Sequence, residues 1–174
     1  MLKPRALEPG DRVAIVAPAS PFIRDEFDQG IEEVRRLGFE PVYDDSVFAR
    51  QRYVAGPPEL RAAAIGRAWR DSAIKGLFAA RGGYGSGQLL PLLDREEARA
   101  ARKPFIGYSD LTSILTFLTI ACDAIARKCA RLRQSMRSRR TRRKNASCTS
   151  SVAPRVWSGC SCRIRPRAIC RSVS

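Results

Sequence analysis

The chain has 174 residues, enough for one globular domain with a core or for a domain with an appendage. It carries 32 Lys and Arg against 17 Asp and Glu, and it contains no histidine. Residues 1–10 lack the apolar segment of a signal peptide, and no apolar run reaches the roughly 18 residues of a membrane span, so we expect a cytoplasmic domain.

The first elements predict a β-α-β unit. An apolar run at residues 13–17 indicates a short buried strand, with a loop over residues 18–21 at its carboxyl end. Apolar residues then recur at helical spacing, at Phe27, Ile31, Val34 and Leu37. Gly38 is typical of a helix end, and residues 40–43 resume an extended strand.

The same alternation continues to residue 120. It predicts further helices over residues 59–71, 86–93 and 96–101, further strands over 74–80 and 104–107, and an apolar helix from Ser109 through Leu118. Strands that alternate with helices imply an α/β fold with a mostly parallel sheet and flanking helices. Ligand sites in such folds lie at the carboxyl ends of the strands.

Ser109 follows the last predicted strand and opens the next helix, within Gly107-Tyr108-Ser109-Asp110. This context has the outline of a nucleophile elbow, in which a serine on a tight turn exposes its hydroxyl next to helix amides. Such amides stabilise a developing oxyanion. The alternative interpretation is that Ser109 is a helix N-cap, a common role for serine.

A glycine-rich segment, Arg81-Gly82-Gly83-Tyr84-Gly85, follows the neighbouring predicted strand. Glycines at this place let a backbone amide approach a substrate oxygen. A flexible turn or a weak phosphate loop is the alternative, because the spacing matches neither of the common phosphate-binding glycine motifs.

Three ordered segments together resemble the N-terminal domain of LD-carboxypeptidases. They are residues 9–20, the glycine-rich segment with Gln88-Leu89-Leu90-Pro91 after it, and residues 103–112. The resemblance covers about residues 3–120 and implies a layout like that of flavodoxin or of class I glutamine amidotransferases. It also implies a homodimer, the usual state in the family.

The resemblance implies a serine peptidase that releases the terminal D-alanine from the tetrapeptide of cytoplasmic muropeptides, without a metal or cofactor. Ser109 would be the nucleophile. The amides of Asp110 and Gly83 would form the oxyanion hole, and a second group of residues would line the substrate pocket, namely Arg81, Gly82 and Tyr84. Related enzymes of similar layout cleave peptide-nucleotide antibiotics, so the natural substrate stays open.

The family's catalytic triad is Ser-Glu-His, and its Glu and His come from a second, C-terminal domain. This sequence has no histidine and no Glu after Glu97, so neither partner maps onto a position here. A serine without a general base is a poor nucleophile. We therefore expect an incomplete site that does not hydrolyse muropeptides.

The composition changes abruptly after residue 120. Residues 1–120 hold 17 Lys and Arg against 16 Asp and Glu, whereas residues 121–174 hold 15 against 1, together with all six cysteines. The cysteine spacing matches no zinc or disulfide pattern. We predict two parts, a carboxypeptidase-like domain over residues 1–120 and a disordered Arg-, Ser- and Cys-rich tail over residues 121–174. The abrupt change in composition between them is typical of a frameshift.

A genuine basic tail is the alternative to a frameshift. Residues 137–144 could attract nucleic-acid phosphates without sequence preference. Few aromatic residues accompany them, and no known binding module is present. A non-catalytic binding protein, which keeps the muropeptide crevice or uses this tail, is therefore the alternative function.

Overall fold

The structure, a computed structural model, describes residues 5–122 and the backbone of residues 127–128. The strands are β1 (Arg12–Val16), β2 (Glu40–Val42), β3 (Ile74–Ala79), β4 (Phe105–Gly107) and β5 (Arg127–Lys128). The α-helices are α1 (Arg24–Arg36), α2 (Pro58–Arg70), α3 (Arg95–Ala101) and α4 (Thr112–Ile120). Three short 3-10 helices cover Asp45–Phe48, Ser86–Leu92 and Ser109–Leu111.

The five strands form one parallel sheet in the order β2-β1-β3-β4-β5. This strand order is that of flavodoxin-like folds, so the predicted α/β class and layout are confirmed. Because β1, β3 and β4 are neighbours and run in the same direction, the segments that follow them lie side by side at one edge of the sheet. The two site segments predicted from the sequence, the glycine-rich segment after β3 and the Ser109 segment after β4, lie at this edge beside the loop that follows β1.

Helices cover both faces of the sheet because the side chains of each strand alternate between them. On one face, Val13 and Ile15 of β1 join a buried cluster with α1, whose contribution is Phe27, Ile31 and Val34. On the other face, Ala14 and Val16 belong to a larger cluster that includes side chains of α2, α3 and α4. The site edge is therefore supported by packed layers on both sides.

The predicted strands and helices are found, with local differences. The helix predicted from Ser109 begins as the 3-10 helix Ser109–Leu111, and strand β5 was not predicted. Residues 86–92 form a 3-10 helix with Pro91 inside it, where the hydrophobic pattern predicts an ordinary helix. The short helix Asp45–Phe48 was not predicted; the Asp44 side chain caps it by accepting a hydrogen bond from the Ser46 amide at 2.8 Å.

The proposed tail lies outside the described residues, apart from residues 121–122 and the backbone of β5. The domain boundary at residue 120 and the disorder and frameshift hypotheses therefore stay predictions. Among residues 5–122 and 127–128, no helix is long and apolar enough to cross a membrane.

Candidate active site

Ser109 occupies a sharp connection between β4 and α4. Tyr108 is extended, with φ of −152°, and Ser109 then adopts the left-handed region, with φ of 61°. A non-glycine residue in this region is strained, and strain of this kind is concentrated at functional sites. The Ser109 side chain is exposed at the carboxyl end of β4. This is the backbone geometry expected of a nucleophile elbow.

The hydroxyl of Ser109 does not cap the helix. An N-cap residue has extended backbone angles and accepts a hydrogen bond from an amide two or three residues later. Ser109 has neither feature, and its hydroxyl has no hydrogen-bond partner among residues 5–122. Its carbonyl oxygen instead accepts a hydrogen bond from Thr112 Oγ1 at 2.7 Å. The geometry thus favours an available nucleophile over the N-cap interpretation.

The glycine-rich segment lies directly against the elbow. A Cβ atom built on Gly82 would lie 2.8 Å from the Tyr108 carbonyl oxygen and 2.9 Å from Ser109 Cβ, distances that no side chain tolerates. Gly82 is buried, and the next residue, Gly83, is exposed with φ of 116°. Glycine at both positions lets this backbone run alongside Ser109.

The loop after β1 also reaches the glycine-rich segment. The Ser20 amide donates to the Gly82 carbonyl at 3.4 Å, and Ser20 Oγ accepts from the Tyr84 amide at 3.0 Å. A Cβ on Gly83 would lie only 2.6 Å from Ser20 Cβ. Ser20 was not singled out by the sequence analysis, although its place at the end of a predicted strand was a usable signal.

The predicted pocket residues Arg81 and Tyr84 are both exposed and lie beside the same loops. The Arg81 guanidinium donates to the Pro21 carbonyl at 3.3 Å. The Tyr84 ring meets that of Tyr53 edge to face, with 5.1 Å between the ring centroids. Tyr53 was missed by the sequence analysis, because it lies in a loop remote in sequence from the glycine-rich segment.

Asp110 joins the elbow to the glycine-rich segment through its polar groups. The Asp110 carboxylate accepts from the Ser86 amide at 2.9 Å, and its carbonyl accepts from Ser86 Oγ at 2.8 Å and from Ser113 Oγ at 3.2 Å. Ser86 is fully buried. The structure therefore places the predicted residues Ser109 and Asp110 against the glycine-rich segment, through Gly82 and through Ser86, the residue that directly follows that segment.

The arrangement has the parts of an acyl-transfer site that this chain can supply. It combines an exposed serine in a strained turn with a glycine backbone beside it and a helix that begins directly after it. Backbone amides at such places stabilise the negative charge of a tetrahedral intermediate. Among residues 5–122, no group of three or more His, Cys, Asp or Glu side chains is placed to hold a metal ion.

Comparison with known proteins identifies relatives of this domain. The family model described as the LD-carboxypeptidase N-terminal domain matches residues 13–127. A putative carboxypeptidase of Streptomyces coelicolor is 39% identical over 118 residues, which are 66% of this chain and 38% of that protein. The murein tetrapeptide carboxypeptidase of Pseudomonas aeruginosa is 38% identical over 106 residues, or 60% and 34% of the two chains.

Solved structures agree with this match. The structure of the microcin C7 self-immunity protein MccF superposes with a TM-score of 0.69 at 27% sequence identity, over 72% of this chain and 38% of that one. This chain thus spans little more than a third of the length of the relatives it matches.

Proposed function

This chain belongs to the LD-carboxypeptidase family, a family of serine carboxypeptidases, and we propose that it carries the nucleophile and oxyanion-binding half of an enzyme that trims muropeptides. The substrate is the tetrapeptide of a cytoplasmic muropeptide, and the product is free D-alanine. The name of the Pseudomonas aeruginosa relative supports this substrate class.

One observation carries the proposal, the left-handed backbone of an exposed Ser109 beside the buried Gly82. In the proposed reaction Ser109 Oγ adds to the carbonyl carbon before the terminal D-alanine, and its proton passes to a base. The C–N bond then breaks, the D-alanine nitrogen takes a proton, and water hydrolyses the acyl-enzyme. The amides of Asp110 and Gly83 donate to the oxyanion, as the family resemblance implies.

The histidine that the family resemblance implies as the base is absent from the 174 residues. We propose that this chain alone does not turn the substrate over. A triad that lacks one member loses most of its rate advantage. The homodimer and the cytoplasmic location implied by the family resemblance are part of the same proposal.

A chimera tests the proposed function. Residues 1–120 of this chain replace the matching N-terminal part of the Pseudomonas aeruginosa carboxypeptidase, which supplies the rest of the molecule. We expect the chimera to release D-alanine from a muramyl tetrapeptide. Neither its Ser109→Ala variant nor the 174-residue chain should release it. The native Pseudomonas aeruginosa enzyme is the positive control. Release that persists in Ser109→Ala would refute Ser109 as the nucleophile.

The same chimera decides between two substrate classes. MccF is named for self-immunity to microcin C7, and one of its structures contains glutamyl sulfamoyl guanosine. If the chimera cleaves an aminoacyl sulfamoyl nucleoside and leaves the muramyl tetrapeptide intact, the peptidase chemistry stands and the muropeptide assignment is wrong.

A further inference from the structure

Arg61 is a buried cation that the peptidase chemistry does not use. It lies in the first turn of α2 and is only 3% exposed. Buried arginines are rare unless their donors are satisfied, because an unpaired buried charge is strongly unfavourable. None of the ion pairs between described residues includes Arg61, so its partners must be neutral groups.

Those partners are carbonyl oxygens from three separate loops and one amide side chain. Arg61 Nη1 donates to the Pro18 carbonyl, after β1, at 2.7 Å and to the Gly85 carbonyl, after β3, at 3.0 Å. Arg61 Nε donates to the Gly56 carbonyl at 3.0 Å, and Nη2 donates to Gln88 Oε1 at 2.6 Å. One guanidinium therefore joins the two strand-end loops that meet beside Ser109.

The contact at Gly85 reaches the elbow through a single rigid peptide. The carbonyl of Gly85 and the amide of Ser86 belong to one planar unit and point in opposite directions. Arg61 holds the carbonyl, and the Asp110 carboxylate accepts from the amide at 2.9 Å. This peptide is thus held from both sides, by Arg61 and by the residue that follows Ser109.

The charges around Arg61 fit this role. Burial lowers the pKa of the Arg61 guanidinium from its ordinary value, and the nearby carboxylates of Glu59 and Asp110 offset part of that shift. The planar guanidinium presents several donors in fixed directions, whereas a lysine has one compact ammonium. A lysine at position 61 could not reach all four acceptors at once.

We propose that Arg61 is a positioning residue of the carboxypeptidase site, which fixes the glycine-rich segment against the Ser109 elbow by holding the Gly85–Ser86 peptide. This inference rests on the proposed function, and it adds a residue outside the expected site. Arg61 acts through the loops, because its hydrogen bonds go to loop carbonyls and to Gln88 and none of them goes to Ser109.

Amide hydrogen exchange in the full chain, followed residue by residue by NMR, tests the role without any ligand. The variants are Arg61→Lys and Arg61→Met, with Arg67→Met as control, because Arg67 lies on the same helix and makes an exposed ion pair with Asp44. We expect exchange at the Ser86 and Tyr84 amides to accelerate at least about tenfold in Arg61→Lys, with β1 and β3 amides unchanged. A purely structural role would instead accelerate core amides together.

A second readout measures the site itself. A peptidyl boronic acid, whose boron replaces the scissile carbonyl carbon, forms a B–O bond with Ser109 Oγ while the hydroxyl proton passes to water. We expect the folded Arg61→Lys variant to bind it at least about tenfold more weakly than wild type, and Arg67→Met to bind it equally well. Unchanged Ser86 exchange and unchanged affinity in Arg61→Lys would overturn the proposal.

Two further outcomes are decided in advance. If neither Arg61 variant folds, Gln88→Met is used in their place, because it removes the Gln88 acceptor of Arg61 at an exposed position. An unchanged exchange rate of the Ser86 amide in Gln88→Met would then overturn the proposal. If the wild-type chain forms no boronate adduct, the proposed function fails, whereas the exchange rates still show whether Arg61 holds the loop.

Discussion

Gly82 and Ser109 are so close that no side chain fits between them, because a Cβ atom on Gly82 would lie 2.9 Å from Ser109 Cβ. The same atom would lie 2.8 Å from the Tyr108 carbonyl oxygen, which is backbone and cannot rotate away. The two segments that meet here are 27 residues apart in sequence, and the parallel pairing of β3 with β4 brings them together. The spacing of the proposed oxyanion donors depends on this contact.

Gly82→Ala is expected to disrupt this contact. The added methyl group must push the glycine-rich segment or the elbow aside, which should lower the free energy of unfolding by about 1–3 kcal/mol. Boronate binding should also be lost. Gly87→Ala is the matched control, since a Cβ on Gly87 has no atom within 4 Å. Urea unfolding and boronate titration of both variants check this, and equal behaviour of the two would contradict it.

Ser109→Gly should be more stable than Ser109→Ala. A non-glycine residue in the left-handed region costs about 1 kcal/mol or more, and glycine removes that strain. We therefore expect Ser109→Gly to unfold at higher urea concentration than Ser109→Ala, and both to lose the boronate adduct. If the two variants unfold at the same concentration, Ser109 is not strained.

Ser86→Ala should weaken the connection between the elbow and the glycine-rich segment. Ser86 is fully buried, and its Oγ donates to the Asp110 carbonyl. The Ser113 hydroxyl is a second hydrogen-bond partner, with 2.6 Å between the two Oγ atoms. Loss of this hydroxyl leaves buried polar groups less satisfied and should lower the free energy of unfolding by about 1–3 kcal/mol.

Thr119→Ala serves as the control for Ser86→Ala. Among residues 5–122, the Thr119 hydroxyl bonds only back to the Leu115 carbonyl within α4, a contact that adds little to helix stability. We expect this variant to stay within about 0.5 kcal/mol of wild type. A Ser86→Ala variant as stable as Thr119→Ala would show that the buried hydrogen bonds do not support the elbow.

Lys103→Met should destabilise the junction between α2 and β4. Lys103 Nζ donates to the carbonyls of Ala68, Trp69 and Asp71 at 2.6–2.8 Å and thus caps the end of α2. Loss of the Lys103 ammonium and its three hydrogen bonds should lower the free energy of unfolding by about 1–2 kcal/mol. Lys75→Met, which removes only a local bond to the Ser72 carbonyl, should have a smaller effect in the same thermal unfolding measurement.

Much of the fold could be predicted from the sequence, because hydrophobic periodicity reflects burial. The apolar run of β1 alternates between two buried clusters, and the period of α1 places Phe27, Ile31 and Val34 on one face. The segment 86–92 was predicted less well. Its apolar residues suit a helix, but Pro91 has no amide hydrogen to donate, and the segment forms a 3-10 helix.

The candidate site was predictable only where a local pattern marks it. Glycines and a serine after two strands pointed to Ser109, Gly82 and Gly83. No local pattern identifies Arg61, because the sequence pattern predicts a solvent-exposed side chain for an arginine within an Ala- and Arg-rich helix. Its burial depends on Pro18 and Gly85, which are 43 and 24 residues away in sequence. The strain at Ser109 likewise comes from its tertiary setting.

The most direct test of the central claim, that Ser109 is a nucleophile beside oxyanion donors, is the state of boron in the peptidyl boronic acid complex. Boron-11 NMR of the 174-residue chain should show four-coordinate boron, and mass spectrometry should locate the adduct on Ser109. Ser109→Ala should leave the boron three-coordinate. A wild-type chain that forms no adduct at saturating boronic acid, or an adduct that survives Ser109→Ala, would contradict the claim.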